Sequence, residues 1–367
     1  MRRAEPAWHW MKSLMEQEGA FDMDPRGDLC LLVTPEDGND DGLDRDHDDD
    51  DAASVKSDPS DTSKNGQRFV VCSRALSRAS PVFCKMLFGH FAEADSSRSK
   101  AVNLNDAIEP RFLALVIIHG RFDIVPARLT VEELFDLLVV TNKYQMTGIA
   151  RPWLHKWVPY LKAIPCSPHK DLLAWISWEL GAEKMFGHVA RAIARECRVN
   201  EDGEVLDTDG EPMRLNIYLD AAGILVSDGI ARARKNAVSS LFSPLRLYTQ
   251  EILNGRGCIN GWLRDTKCNN TVLGSVMMAF KTAGIDPGPL ISGSNPVYLG
   301  SVSELYNKIQ LMMVENRNGH DCNPIEQAKV LAMNIISIED MPSPVTQPQR
   351  EHMKKQALIS GWNRQCN

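Results

Sequence analysis

Three cysteines and one histidine in the C-terminal half of the chain have the chemistry of a metal site. Cys258 and Cys268 have nine residues between them on a segment rich in Gly and Asn, and His320 and Cys322 have one residue between them. Three thiolates and one imidazole suit a tetrahedral zinc ion. The sequence therefore predicts a structural zinc site that joins loops around the helices predicted at residues 271–283 and 301–314.

The spacing of these four residues leaves a second interpretation open. Zinc ligands often occur as C-x2-C pairs, and a C-x9-C pair is far less specific. The alternative is a set of reduced thiols and a surface histidine with no ion between them. The two interpretations differ in geometry, because a zinc site requires sulfur and nitrogen atoms within about 2.0–2.4 Å of a common point.

Catalytic motifs are absent from the sequence. It contains no G-x-S-x-G elbow, no G-x-x-x-x-G-K-[ST] phosphate loop, no G-x-G-x-x-G after a strand and no H-E-x-x-H. Cys72 and Cys84 fall on predicted core positions, where a small buried hydrophobe is the expected role. We therefore predict a binding protein rather than an enzyme.

The length and composition indicate an intracellular protein of two domains. Its 367 residues suffice for two domains, since folded units commonly have about 100–200 residues. No apolar run approaches the roughly 18 residues of a membrane span, and the N-terminus lacks the apolar core of a secretory signal. The nine cysteines are scattered, which fits a reducing compartment. Nucleus and cytoplasm both remain open.

The acidic charge is concentrated in one segment. Residues 36–63 contain twelve Asp and Glu residues and only two cationic residues, Arg45 and Lys56, which gives this segment a net charge of −10. The formal net charge of the whole chain is −7, so the remaining residues carry about +3. Without a basic stripe or an aromatic-rich groove, nothing indicates a nucleic-acid partner. Residues 37–66 bury too little apolar surface to offset the entropy of ordering, which predicts a disordered acidic insert.

The most regular pattern lies in residues 68–158. Its parts read QRFVVCSRALSRASPVFCKMLF, AVNLNDAIEPRFLALVIIHG and LTVEELFDLLVVTNKYQMTGIARPWLHKWV. The first part predicts a strand and two short helices. The second is apolar nearly all round between residues 110 and 120, which predicts a buried helix. In the third, Thr130 and Glu133 form a capping box ahead of another buried helix.

These residues resemble a BTB/POZ domain. The order and spacing of the elements agree with that family across most of residues 28–160, with Asp28–Val33 as the opening strand. The remainder, including WISWELGAEKMFGHVARAIARECRVNEDGEV, is similar to a group of filamentous-fungal BTB proteins. The resemblance implies an α+β BTB/POZ domain, with a short sheet capped by helices, followed by a mainly α-helical C-terminal domain.

The chain is accordingly expected to have four parts. An N-terminal helix occupies residues 1–20, and the BTB/POZ domain with its acidic insert occupies residues 21–164. A mainly helical domain follows at residues 165–340. Residues 341–367 are polar and are expected to form a loose tail.

Two features of the helical domain give further expectations. The sequence of Leu215–Leu253 predicts one or two helices, with a break near Pro244, since proline interrupts helical hydrogen bonding. Arg232, Arg234 and Lys235 lie close together on this segment. A solvated helix face is the expected role of these three cations.

The resemblance implies a function in protein–protein contact. BTB domains are known for homodimerisation, for partner recruitment and, in several families, for docking onto a cullin-type ubiquitin-ligase scaffold. The expected function is an adaptor or scaffold that binds other proteins through the BTB surface. An oligomerising architectural or regulatory protein with no ubiquitin-ligase role is the alternative, and an enzyme in the helical half is a third. No membrane partner is expected.

One position departs from the dimeric members of the family. Asp28 matches the acidic residue that opens the fold, and in dimeric members that acid faces a His-Arg pair at the exit of the second strand. This sequence has Cys72 and Ser73 there, so monomer and dimer both stay open. Because an unpaired buried carboxylate costs several kcal/mol, Asp28 is expected to be solvated or held by Ser73 and backbone amides.

Deletion of residues 37–66 is predicted to leave the fold intact. The segment has no apolar anchors, and the entropy of closing a loop grows only logarithmically with its length. Circular dichroism should show a cooperative thermal transition in the deletion variant, as in the full chain. A broad, non-cooperative transition would contradict the prediction.

Overall fold

A computed structural model gives the structure in two compact units. The first comprises Met1–Ala163 and Gln356–Asn367, and the second comprises Ile164–Lys355, so the division lies one residue from the sequence-based boundary after residue 164. The structure describes residues 8–11, 20–35, 66–89, 101–158, 169–207, 209–213, 215, 224–256, 258, 265–315, 319–320, 322, 324–336 and 341–362.

A four-stranded mixed sheet forms one layer of the first unit. The strands are β1 (Ala20–Asp22), β2 (Leu29–Thr34), β3 (Gln67–Val71) and β4 (Ala101–Asn105). Their order is β1-β3-β2-β4, in which β2 and β3 are antiparallel and the other two pairs are parallel. Alternate residues of β2 and β4 are buried, so one face of the sheet contributes to the core.

Helices cover this face of the sheet. The described helices are α1 (Ser73–Ala79), α2 (Pro81–Phe88), α3 (Ile108–Ile118), α4 (Val131–Lys143) and α5 (Leu154–Trp157). Helix α3 is buried from Pro110 to Ile117, as its apolar sequence predicts. Thr130 and Glu133 form the predicted capping box at the start of α4. The α+β class expected from the sequence is therefore observed.

Helix α3 also buries a charge that its apolar pattern conceals. Arg111 is fully buried, and its guanidinium donates to the carboxylate of Asp106 and lies 3.8 Å from the centre of the Tyr144 ring. The Tyr144 hydroxyl and the Lys143 ammonium also lie 2.9 Å from carboxylate oxygens of Asp106. This network offsets part of the cost of removing the Arg111 charge from water.

Only part of the expected N-terminal helix lies within the described residues. Trp8 and Met11 are buried. The Trp8 backbone N donates to Glu133 Oε1 at 2.9 Å, and its indole Nε1 donates to Asp136 Oδ2 at 3.1 Å. Residues 1–7 and 12–19 lie outside the described residues, and so does the expected acidic insert apart from Gly66.

The surroundings of Asp28 match the sequence-based expectation. Its two carboxylate oxygens accept hydrogen bonds from the backbone N and the hydroxyl of Ser73, at 2.8 and 2.7 Å. The expectation for the cysteines was wrong in part, because Cys84 is exposed on α2 and Cys72 is only half-buried. In the short amphipathic helix α2, Phe83 and Leu87 take the inward positions instead.

The second unit is mainly helical. Its helices include α6 (Lys170–Leu180), α7 (Glu183–Glu196), α8 (Asp228–Leu253), α9 (Thr266–Thr282), α10 (Gly288–Ser292), α11 (Val302–Leu311) and α12 (Pro324–Ile336). The long helix α8 contacts α7, α10 and α12, and so lies at the centre of the unit. None of the described helices combines the length and apolar character needed to cross a bilayer.

The break predicted near Pro244 does not occur, because α8 continues through this proline to Leu253. A proline inside a helix costs about 3 kcal/mol, through one lost hydrogen bond and a steric clash. Leu241, Phe242 and Leu245 are buried around it. Packing on both sides of Pro244 therefore outweighs its local preference.

The solvated role expected for Arg234 is also wrong. Arg232 and Lys235 are exposed, whereas Arg234 is buried. Its guanidinium donates to the carbonyl oxygens of Cys197 at 2.7 Å, Tyr298 at 3.0 Å and Gly300. Position 234 lies on the inward stripe of α8, and its backbone acceptors make burial of the cation tolerable.

The described part of the expected loose tail, residues 341–362, instead contains a helix. Helix α13 spans Gln347–Ser360 and buries Met353 and Ala357. Its start is fixed by a reciprocal pair, in which the Gln349 backbone N donates to Thr346 Oγ1 and the Thr346 backbone N donates to Gln349 Oε1. This is a T-x-x-Q capping box, a local signal that offsets the polar composition of the segment.

The side chain of His119 follows the last residue of α3 and is held in its neutral form. Its Nε2 accepts from the backbone N of Cys72 at 3.0 Å, and its Nδ1 donates to the carbonyl oxygen of Leu115 at 2.8 Å. Burial lowers the pKa of His119, and this effect outweighs the opposing hydrogen bond to Leu115 and the charge of Asp24.

The first unit is predicted to lose stability as the pH falls below about 6.5, where His119 of the unfolded chain takes up a proton. The folded state resists this protonation, so the loss approaches about 1.4 kcal/mol per pH unit for one proton. Urea unfolding at pH 7.5 and 5.5 should show a smaller loss in His119→Gln, which does not titrate. Equal losses in the two proteins would contradict this role.

Candidate metal centre

The four residues singled out by their chemistry come from three segments of the second unit. Cys258 follows the end of α8, and His320 and Cys322 lie between α11 and α12. Cys268 was expected on an irregular segment, but it lies in the first turn of α9. That helix begins five residues before the predicted one because Asp265 caps it: Asp265 Oδ1 accepts from the backbone N of Lys267 and of Cys268.

The structure brings the four side chains together. Their ligand atoms all lie within 4.8 Å of one another. Cys258 Sγ is 3.4 Å from His320 Nδ1 and 3.8 Å from Cys322 Sγ. A tetrahedral ion with bonds of about 2.3 Å to sulfur and 2.0–2.1 Å to nitrogen separates its ligand atoms by about 3.8 Å for two sulfurs and about 3.5 Å for sulfur and nitrogen. The cluster can therefore hold a metal ion with small side-chain adjustments.

The cluster is mostly shielded from solvent. Cys268 and Cys322 are buried, at 0% and 4% exposure, and the side chain of His320 is 18% exposed. Burial raises the pKa of the Cys268 thiol to about 12, and contacts with Cys258 and Cys322 act in the same direction. A thiol in such surroundings keeps its proton unless a cation replaces it, so binding of a metal ion would release protons.

Two further side chains lie beside the cluster. Tyr248, on α8, donates its hydroxyl to the carbonyl oxygen of Cys322 in a short hydrogen bond. Burial and the nearby cysteines raise the pKa of Tyr248 well above its usual range, so it stays a donor. Asp265 Oδ2 lies 3.9 Å from His320 Nε2. Sequence reasoning missed both residues, although an Asp three positions before Cys268 is a recognisable helix-capping signal.

Within the part of the chain that the structure describes, this is the one group of three or more His, Cys, Asp and Glu side chains arranged to hold a metal ion. No family model, no curated protein and no solved structure matches the chain. The assignment of a function therefore rests on the geometry and chemistry of the residues themselves.

Proposed function

We propose that Cys258, Cys268, His320 and Cys322 bind one structural zinc ion. The convergence of their ligand atoms within 4.8 Å carries this proposal. Thiolate and imidazole ligands in a tetrahedral arrangement favour zinc over the hard cations calcium and magnesium, which prefer oxygen. Four protein ligands fill the coordination sphere and leave no position for a substrate. The proposed role is therefore stabilisation and not catalysis.

The proposed ion would join the three segments that supply its ligands. Helix α9, which supplies Cys268, is buried mainly through Cys268, Val272, Val276 and Phe280. A metal that binds only the folded state adds its binding free energy to stability, about 4 kcal/mol when free zinc exceeds the dissociation constant 1,000-fold. This stabilisation would fall on the second unit.

Purified full-length protein is predicted to contain about one zinc ion per chain. Replacement of both Cys258 and Cys268 by Ser should remove the zinc and lower the melting temperature of the second unit, because two ligands and the binding free energy are lost. Elemental analysis and differential scanning calorimetry measure these two quantities.

The matched control is Cys84→Ser, which removes an exposed thiol of the first unit. This variant should keep both the zinc content and the melting temperature of the original protein. The proposed site would be contradicted if the original protein stays metal-free after reconstitution with zinc. It would also be contradicted if the protein with both Cys258→Ser and Cys268→Ser retains zinc.

We further propose that the first unit is a BTB/POZ domain and that the protein acts as an adaptor or scaffold. Three observations support this proposal. Strands β2 and β3 form an antiparallel pair on either side of the long insertion, with Val33 opposite Gln67. Helices α1 and α2 directly follow β3, and α3 and α4 pack together. Each agrees with the element order on which the family resemblance was based.

A groove on the first unit offers a surface for a protein partner. It has a volume of about 400 Å³ and is lined by residues of α1, α3 and the segment 148–153, including Ile118 and Trp153, and by Phe122, which follows α3. Phe122 is 60% exposed and contacts the edge of Trp153. Exposed apolar surface of this kind is typical of protein-binding sites.

Affinity purification of the tagged full chain from its native cells should recover a protein partner bound through this groove. Phe122→Ser is expected to weaken recovery at least tenfold, because an exposed aromatic side chain is a common hot spot of protein interfaces. Leu247→Ser is the matched control, since Leu247 is 64% exposed on α8 of the second unit. Quantitative mass spectrometry of the eluates measures recovery, and melting temperatures verify that both variants fold.

The proteins recovered in the eluate also distinguish the two proposed interaction roles. A cullin-type scaffold would support the adaptor role, whereas self-association alone, measured by light scattering on the purified chain, would support the oligomerising architectural or regulatory role. A monomeric chain without a partner, or equal losses in both variants, would contradict binding through the groove.

A further inference from the structure

We infer that Asp265 is a positioning residue that orients two of the metal ligands, Cys268 and His320, through its two carboxylate oxygens. This inference rests on the proposed zinc site. Oδ1 faces the backbone of α9, and Oδ2 faces the imidazole of His320. One side chain thereby links ligands that are separated by more than fifty residues in the chain.

The first link fixes Cys268. Asp265 Oδ1 accepts from the backbone N of Lys267 at 3.0 Å and of Cys268 at 3.2 Å, so the first turn of α9 starts at a defined residue. Because Cys268 belongs to that turn, the direction of its Sγ follows from the cap. Without the cap, fraying of the first turn would move this ligand.

The second link concerns the imidazole. His320 Nδ1 is the ring atom that faces Cys258 Sγ, at 3.4 Å, so Nδ1 is the ligand atom. A metal on Nδ1 leaves the proton on Nε2, and a carboxylate acceptor then fixes the tautomer and the ring orientation. Asp265 Oδ2 lies on that side at 3.9 Å, less than 1 Å beyond a hydrogen bond of about 3.0 Å. The side chains of Asp265 and His320 are 20% and 18% exposed, so solvent screens them weakly.

Conservative variants separate the two links. Asp265→Asn and Asp265→Ser keep a good capping acceptor for α9 but lose the carboxylate charge that faces His320. Both are expected to bind zinc 10–100-fold more weakly than the original full-length protein, with an unchanged melting temperature of the metal-free form. Asp265→Ala loses both links and should also lower the melting temperature of the metal-free form. Zinc affinity is measured by competition with a chromophoric chelator.

A second background tests whether Asp265 acts through the imidazole. In His320→Cys there is no ring to orient, so adding Asp265→Asn should leave zinc affinity unchanged. The same loss in both backgrounds would show that Asp265 does not act through the imidazole, and original affinity in Asp265→Asn and Asp265→Ser would restrict Asp265 to helix capping; either result would overturn the inference. If the original protein binds no zinc, the proposed site itself fails; if it binds zinc and the Asn and Ser variants match it, only the role of Asp265 fails.

Discussion

A polar side chain that leaves water must find partners inside the protein, and this constraint organises the interior of both units. In the first unit, buried Arg111 draws Asp106, Lys143 and Tyr144 into one network beside the sheet. In the second, buried Arg234 takes its partners from main-chain carbonyl groups. The cysteine cluster can meet the same constraint with a bound cation, because its ligand atoms lie within 4.8 Å of one another.

Elements governed by local chemistry were predictable from the sequence. The apolar run of α3 and the Thr130 and Glu133 capping box each contain their signal within a dozen residues. The errors have a common cause in tertiary contacts. Arg234 has charged neighbours in sequence, yet its position on the inward stripe and the carbonyl groups of distant residues decide its burial. Pro244 breaks an isolated helix, but packed side chains around it preserve α8.

The candidate metal centre also depends on both residue type and tertiary contact. Residue types alone selected its four members, because thiolates and imidazole are a recognisable ligand set. Their convergence depends on tertiary structure, since Cys258 and His320 are 62 residues apart in the chain. Tyr248 and Asp265 could not be assigned from composition, because their roles depend on where their side-chain oxygen atoms lie relative to the cluster.

The ion pair between Arg111 and Asp106 has a consequence for how this chain can change over generations. Loss of Asp106 leaves the Arg111 charge buried without its partner carboxylate, which costs about 3–5 kcal/mol, whereas replacement of both by apolar residues of similar volume is often neutral. A change that removes Asp106 first therefore passes through a poorly folded ancestor. Asp106 without Arg111 keeps Lys143 and Tyr144 as partners, so the two positions are coupled and the order of their substitution matters.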